Sequence, residues 1–528
     1  MLLIIALLLG SLFLWTLVRK KLTTWTRRGV KQTHPYTILG DSWRNIFQVM
    51  SIPDFLQKVY YMYPNTRYTG FYQILKPVLM IKNPELIKQI AIKDFDHFTD
   101  HRSLGTDEDF EPLFATQLFF LKGQRWRDMR ALLSGSFTSS KMKTMYGLIA
   151  ESADHFTDYF LKQSIDLIEL DLKPAFTRFT NDVIASTSFG IQVDSMTEPD
   201  NQFYRMGSEI ANFNNLKTFF KIFAYLLVPS LSRFLNMKMF SKESSTFFTD
   251  IISQTIKMRE EKNIVRPDMI NLLLEVRKGI VKKDDESVTD TGFAVVEESQ
   301  HISKTPKKHR ELTDTDITAQ AIIFFLAGFD TVSSAMSNCC YELAINPEAQ
   351  DKLREEIKSV LAENNGEISY ETTLKMEYLD MVVSETLRKY PGLSSTDRIC
   401  VKSYTIEPKT PDEEPVHLKP GDMVFFPNFS VLRDPKYYPD PDKFIPERFS
   451  EENRSKIVPY TYIPFGIGPR ACIGTRFALL EVKTILIRLL SKFEVVPVEK
   501  TKIPMAFNRS TLSVVSDNGY PLALKRLK

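Results

Sequence analysis

Pro464–Gly474, PFGIGPRACIG, constrains this 528-residue chain more than any other stretch. It sets one cysteine, Cys472, in a turn containing Gly466, Gly468 and Gly474, and a long apolar, helix-prone run follows at once over Phe477–Leu490. Small residues let a backbone approach a flat ligand closely. The start of a helix, rich in unpaired N–H groups, favours the anionic form of a thiol. The pattern therefore suits a thiolate presented to a metal at the entrance to a helix. Arg470, two residues earlier, supplies a positive charge for an acidic group on the same ligand. The competing reading is a structural cysteine buried in a glycine-rich turn.

The other three cysteines are Cys339, Cys340 and Cys400. So few in so long a chain make no disulfide framework, and no CxxC pair suggests zinc. Such usage fits a reducing compartment such as the cytosol. The formal net charge is +3, which gives no pointer to nucleic acid. With 38 phenylalanines the chain has enough aromatic bulk to line an apolar cavity as well as to fill a core. No internal repeat or mid-chain linker divides it, so one large unit is expected.

Met1–Val18 carries no charged side chain. As a helix it would span roughly 27 Å, which matches the thin bilayer of the endoplasmic reticulum. Arg19, Lys20, Lys21, Arg27 and Arg28 follow, placing this end in the cytosol by the positive-inside rule. A cleaved signal peptide is the alternative. The missing basic n-region and cleavage site, and the stop-transfer cluster, weigh against it. The expected organisation is an anchor over 1–18, a basic linker over 19–45 and a catalytic body over 46–528.

Along the body, Tyr68–Tyr72 and Pro77–Ile81 read as strands, and Pro84 opens a helix. Ser103–Leu121 has no clear period, but Phe110, Leu113, Phe114, Phe119 and Phe120 favour a buried loop over a disordered one. Trp126 and Arg130 share one helix face at i, i+4. An indole N–H and a guanidinium both suit a carboxylate, although a packed Trp on a surface helix has the same spacing. Lys122, Arg125 and Arg127 cluster beside them. Leu161–Gly190 and Tyr204–Met239 read as largely helical. Phe219–Phe240 is apolar and broken by Pro229, as in a buried helix pair or a flap at a membrane surface. Lys278–Arg310 reads as a charged, solvated loop, with an apolar patch at Gly292–Val296.

Leu312–Ala344 reads as a long central helix, with Asp314 and Asp316 suiting its start. Its periodicity puts Ile323, Phe324, Ala327 and Thr331 on one face, and Ala327 and Gly328 leave room beside it. Asp330 needs a partner, because burying an unpaired acid is costly. The bland reading is a Thr331 bonded back to its own helix and an Asp330 in a salt bridge. Glu385 and Arg388 form a local pair at i, i+3. Gly392–Asp397 reads as extended, Lys402–Ile406 and Met423–Pro427 as strand-like, and Met505–Val515 as a final turn.

Taken together, Trp126-x-x-x-Arg130, Ala327-Gly328-Phe329-Asp330-Thr331, Glu385-x-x-Arg388, Pro446-Glu447-Arg448-Phe449 and Phe465-x-x-Gly468-x-Arg470-x-Cys472-x-Gly474 resemble, in order, the motifs of the cytochrome P450 family. The resemblance implies a mainly α fold with small β-sheets behind a single N-terminal transmembrane helix. It implies haem b (iron protoporphyrin IX) with Cys472 as axial ligand, Phe465 in the haem loop, and Trp126, Arg130, Arg398 and Arg470 on the haem propionates. Asp330 and Thr331 would deliver protons to iron-bound dioxygen. Phe114, Phe213, Phe324, Ala327 and Leu393 would face substrate, and Arg448 would join Glu385 and Arg388 in a structural triad.

The implied activity is monooxygenation of a small hydrophobic substrate with electrons from NADPH. The implied partners are NADPH–cytochrome P450 reductase, docking on the Lys122, Arg125 and Arg127 face, cytochrome b5, and membrane lipid. The implied location is the endoplasmic reticulum membrane, single-pass, with a cytosolic catalytic domain. FDHFTDHR and FFLAGFDTVSSA are most similar to insect microsomal members that oxidise plant toxins and insecticides. Microsomal members usually carry a proline-rich hinge after the basic cluster, where this chain has only Pro35. A haem isomerase or peroxide-using relative, or a non-catalytic haem binder, is the alternative. The Asp330–Thr331 pair argues against the isomerase and peroxide-using forms.

Overall fold

A computed structural model describes residues 2–103, 108–212, 221, 229–279, 292–294, 312–511 and 513–528. Phe213, much of the apolar 219–240 stretch and most of the 278–310 segment lie outside the described residues. The fold is mainly helical with small sheets. The N-terminal helix is α1 (Leu2–Leu22), and seven further helices frame the site: α2 (Gly123–Ser134), α3 (Ser139–Leu161), α4 (Leu172–Ile184), α5 (Lys242–Lys262), α6 (Asp314–Ile345), α7 (Glu377–Lys389) and α8 (Thr475–Leu490).

The strands are β1 (Tyr68–Gln73), β2 (Lys76–Ile81), β3 (Leu167–Asp171), β4 (Thr396–Ile399), β5 (Tyr404–Ile406), β6 (Val416–Leu418), β7 (Met423–Phe426), β8 (Phe493–Pro497) and β9 (Pro521–Arg526). They form sheets in the orders β1-β2-β7-β4, β3-β9-β8 and β5-β6. Only the β2/β7 pairing is parallel among the named strands.

The central helix α6 is set by its ends. Thr313 caps it, its hydroxyl accepting from the Asp316 N–H while the Asp316 carboxylate accepts from the Thr313 N–H, a reciprocal capping box. Asp314 and Asp316 sit in the first turn, where the helix dipole favours negative charge. The helix stops at Asn346, ahead of Pro347. Most of its side chains are buried, including Ile317, Ala321, Phe325, Met336 and Leu343. It is long and apolar enough to cross a membrane, but it is the core helix around which the other helices pack. At Gly328 it approaches α4 so closely that an added Cβ would lie 2.9 Å from Ile184 Cδ1.

A second core lies on the β1-β2-β7-β4 sheet, with Phe71, Leu79, Met80 and Val424 fully buried. The basic stretch after α1 is docked on this sheet. Trp25 is fully buried and packs over Gly70. The Tyr72 hydroxyl donates to Gln32 Oε1 at 2.7 Å, and Arg28 pairs with Asp422 at 2.6 Å. Side chains thus fix the approach of the chain where the usual prolines are missing.

Leu161–Gly190 is not helical throughout. Leu167–Asp171 forms β3, which pairs with β9 at the far end of the chain. Its short alternation makes sense only once that partner is present. Gly292–Ala294 does pack locally: the Phe293 N–H donates to Asp380 Oδ2 at 2.9 Å, and its ring meets Phe449 and Tyr462 at 5.0 Å.

Helix α7 carries a buried ionic brace. Arg388 donates to both oxygens of Glu385, at 2.6 and 2.9 Å, and to the carbonyls of Leu432 and Pro441. Arg448 Nε reaches Glu385 Oε1 at 3.3 Å, and the Ile445 N–H donates to the same oxygen at 3.0 Å. Glu385 and Arg388 are fully buried. Removing one member of a buried pair leaves an uncompensated charge, so Glu385→Ala is expected to cost about 3–5 kcal/mol. Denaturant unfolding of the variant checks this, and a loss near the level of a surface pair would contradict it.

Candidate active site

The cysteine loop is a tight turn closed by backbone bonds. The Cys472 N–H donates to Phe465 O at 3.0 Å, and the Ala471 N–H to Gly468 O at 2.8 Å. Gly468 has φ +73°, and a Cβ there would lie 2.1 Å from the Ala91 carbonyl oxygen. Only glycine fits that position. The loop feeds directly into α8, whose N-cap is Gly474.

Cys472 is accessible, whereas Cys339, Cys340 and Cys400 are buried. The Cys472 thiol is nevertheless deep in the fold: burial pushes its pKa up, against the Gly474 N–H, the Arg130 charge and the Thr475 hydroxyl. Access together with enclosure places the thiol on an internal space. Burial outweighs these groups, so the free thiol stays protonated and a bound cation would be needed to hold it as the thiolate.

Across from the loop, α6 opens one stripe. Ile323, Phe324 and Thr331 are only partly buried and Ala327 is exposed, while Ile322, Phe325, Phe329 and Val332 are buried. This is the face that the helical period assigned to Phe324, Ala327 and Thr331. Phe324 packs edge-on against Phe137 at 5.5 Å, and a Cβ on Gly474 would stand 3.8 Å from Phe137. A Cβ on Gly392 would stand 3.8 Å from Thr331, and the neighbouring Leu393 is 38% exposed. The stripe, the thiol loop and the extended 392–393 segment therefore border one region.

Three guanidinium groups gather at one side of it. Burial holds the Arg470 pKa well below its usual value, and Arg398 and Arg130 repel it further. Arg470 donates to the carbonyls of Thr99 and Leu121 at 2.8 and 2.7 Å. Its guanidinium also covers the Trp126 ring at 3.9 Å from the centroid, a favourable cation–π contact. Arg130 Nη1 donates to Ala471 O at 3.0 Å. Arg398 donates to Asp397 O and Ile467 O, while its buried Nε has no hydrogen-bond partner among the described residues. Phe114 is buried between Phe120 and Phe240, and Phe465 is half-buried in the loop.

Sequence reasoning missed two acids and a histidine here. Asp100 lies 3.8 Å from Arg470. Asp397 accepts the Arg102 N–H at 2.7 Å and pairs with His101 Nδ1 at 3.3 Å. Burial pulls the His101 pKa down to about 4, and Arg398 and Arg470 add to the effect. His101 is thus neutral near pH 7. His101 lies in the FDHFTDHR stretch, but nothing there names its partner; only the folded register of β4 brings Asp397 to it.

The donor set fits a flat metal macrocycle with acidic arms. An accessible thiol stands for the metal, small residues leave room, and the orphaned Arg398 Nε in a cationic cluster suits carboxylates. The cytochrome P450 family model matches residues 43–523. The chain belongs to the cytochrome P450 family. Cytochrome P450 9e2 of Blattella germanica is 39% identical over 98% of both chains. Probable cytochrome P450 9f2 of Drosophila melanogaster is 38% identical over 94% of both. Cytochrome P450 6k1 of Blattella germanica is 35% identical, covering 99% of this chain and 96% of its own. This P450 is therefore a haem-thiolate monooxygenase with insect relatives.

Thr331 bonds back to its own helix and Asp330 stands in a salt bridge, the bland reading of this pair. The Thr331 hydroxyl donates back to the Ala327 carbonyl. Asp330 Oδ1 accepts from Lys173 of α4 at 2.9 Å, and Oδ2 accepts from Ser513 of the C-terminal tail at 2.9 Å. Lys173 also donates to the hydroxyls of Ser333 and Ser334. Neither Lys173 nor Ser513 was legible as a partner, since both are remote in sequence and carry no motif.

Burial tends to raise the Asp330 pKa, but Lys173 and the Ser513 hydroxyl override it and hold it below the ordinary carboxylate value. Such a group stabilises the fold above its unfolded pKa and loses that contribution as pH falls through its folded value. Lys173→Met should raise the Asp330 carboxyl and weaken this acid-side dependence. Unfolding measured across the acid range checks it, with Asp330→Asn as the control; an unchanged profile would overturn the pairing.

Proposed function

We propose that this P450 oxidises a small lipophilic molecule with electrons from NADPH passed on by a reductase, xenobiotics of the plant-toxin or insecticide kind being the favoured substrates. The accessible Cys472 thiol, in a loop that borders the same region as the open stripe of α6 and is flanked by the cationic cluster, carries the reading. Cys472 would hold the haem iron through its thiolate, and the haem when bound would supply the oxidising chemistry. Arg130, Arg398 and Arg470 hold its acidic arms. Trp126 acts from behind, as the surface on which the Arg470 guanidinium rests.

Phe324, Ala327 and Leu393 border the substrate on the other side. Thr331 is placed to exchange its bond to the Ala327 carbonyl for one to water. Asp330 holds the carboxylate end of that proton route, oriented by Lys173 and Ser513. Burial of the apolar walls keeps bulk water from the reacting region.

The setting is the cytosolic face of the endoplasmic reticulum. Helix α1 is exposed along most of its length and ends in Arg19, Lys20 and Lys21, as a membrane anchor with a basic cytosolic end requires. Lys122 is exposed at the start of α2. Arg127 pairs with Asp96, and Arg125 with Glu108 and Asp316. Docking of an acidic reductase therefore falls first on Lys122, with Arg127 shared. Cytochrome b5 would use the same face.

The reduced, carbon-monoxide-bound absorption spectrum should show thiolate ligation in the wild type and lose it in Cys472→Ala. Its persistence in the variant would remove Cys472 from the iron. Turnover that needs no NADPH would favour the peroxide-using alternative. Charge reversal at Lys122 is expected to raise the reductase KM at low salt, with the difference shrinking as salt screens the contact. An unchanged KM and salt response would move the docking face elsewhere.

A further inference from the structure

The segment around Glu111 is clamped to the entrance of α5 by a contact that no motif announces. Glu111 is almost fully buried. Its Oε2 accepts from the Met239 N–H and its Oε1 from the Phe240 N–H, both at 2.9 Å. These are the two residues ahead of Ser241, the N-cap of α5. A carboxylate near a helix N-terminus is favoured by the dipole, and charge-assisted bonds of this kind are stronger than neutral ones. Lys238 lies over the Phe110 ring at 5.7 Å, on the same seam.

From this clamp a ladder of aromatic rings runs toward the thiol region. Phe240 meets Phe114 edge-on at 5.5 Å, and Phe114 stacks on Phe120 at 4.3 Å. Phe120 meets Phe119 at 5.1 Å, and Phe119 stacks on His101 at 4.5 Å. Phe119 is 41% exposed, whereas Phe114 is buried. The inner end of the ladder is tied separately. The Leu118 N–H donates to Gln320 Oε1 at 2.9 Å, and Gln320 Nε2 donates back to Thr116 O at 2.8 Å. Arg470 holds the Leu121 carbonyl. Gln320 and Arg470 thus anchor one end to α6 and the cysteine loop, while Glu111 sets the other.

We propose that Glu111 is a positioning residue for substrate specificity: by gripping the backbone ahead of α5 it fixes the ring ladder, and hence the reach of Phe119 and Phe120 into the substrate region. The inference rests on the haem-monooxygenase reading for what lies beyond those rings, but the clamp itself does not. A carboxylate is needed because two consecutive N–H groups must be satisfied. Glutamine offers one acceptor oxygen and turns an NH2 group toward a donor. Aspartate keeps the charge but is one methylene shorter.

The test compares full-length wild type with Glu111→Gln, Glu111→Asp and Phe240→Ala. Hydrogen exchange reads the clamp directly: the Met239 and Phe240 amides should exchange about tenfold faster in Glu111→Gln, the factor for losing one bond of roughly 1.4 kcal/mol. Spectral titration of the holoenzyme with 1-phenylimidazole and with a bulky azole reads the pocket. The ratio of the two Kd values should shift about fivefold or more in Glu111→Gln and Phe240→Ala, and less in Glu111→Asp.

Faster exchange with an unchanged Kd ratio would make Glu111 merely structural and overturn the proposal. Unchanged exchange would remove the clamp itself. If Glu111→Gln fails to fold, Glu111→Asp decides the question, because it keeps the charge but shortens the clamp by one methylene: faster exchange with an unchanged Kd ratio there would overturn the proposal. A wild-type protein without thiolate-bound haem would sink the monooxygenase reading, while the exchange result would still stand on its own.

Discussion

Protein interiors close-pack to the density of organic crystals. The constraint on this fold is to keep an accessible thiol and three guanidinium groups inside without letting the surroundings collapse onto them. Cys472 achieves access through a loop whose backbone is locked by its own hydrogen bonds and by the carbonyl of Ala91. Arg130 and Arg470 are held by backbone carbonyls, and Arg398 likewise except at its buried Nε. Burial depresses the Arg470 pKa, and repulsion from Arg398 and Arg130 adds to it. Asp100 and Asp397 offset part of it, and the acidic arms of a haem would offset the rest.

Helix α6 carries the opposite wall by being two kinds of helix at once. Around most of its girth it is a core helix, apolar and buried, with Gly328 cut away for Ile184. Along one stripe it presents Ala327 and partly buried neighbours to the interior space. Asp330 stands at the margin of that stripe, turned toward Lys173 and Ser513. That acid is thus kept charged by partners drawn from α4 and the tail, and the same contacts tie those two elements to α6.

Much of the site was legible before folding. The acids Asp314 and Asp316 at the start of α6, the period placing Phe324, Ala327 and Thr331 together, and the glycines around Cys472 all act within a few residues. Their consequences can be read locally. The i, i+3 spacing of Glu385 and Arg388 likewise survives into the brace. What stayed hidden shares one trait. Lys173 meets Asp330, His101 meets Asp397, Glu111 meets Phe240 and β3 meets β9 across long stretches of chain. Each of these residues has many chemically equivalent partners in the sequence, and only packing chooses among them.

The sequence by itself determined the chemical inventory and the local elements: a thiolate-ready turn, a capped central helix, a small-residue stripe, an apolar N-terminal helix with a basic end. Helical period, capping and turn geometry depend on neighbours a few residues away, so one strand of letters carries them. Tertiary structure alone decided which charges face one another, that the thiol remains open inside the fold, and that a buried carboxylate ties the ring ladder to the start of α5. Those outcomes depend on distances between elements far apart in the chain. Burial then sets the strength of every charge that they bring together.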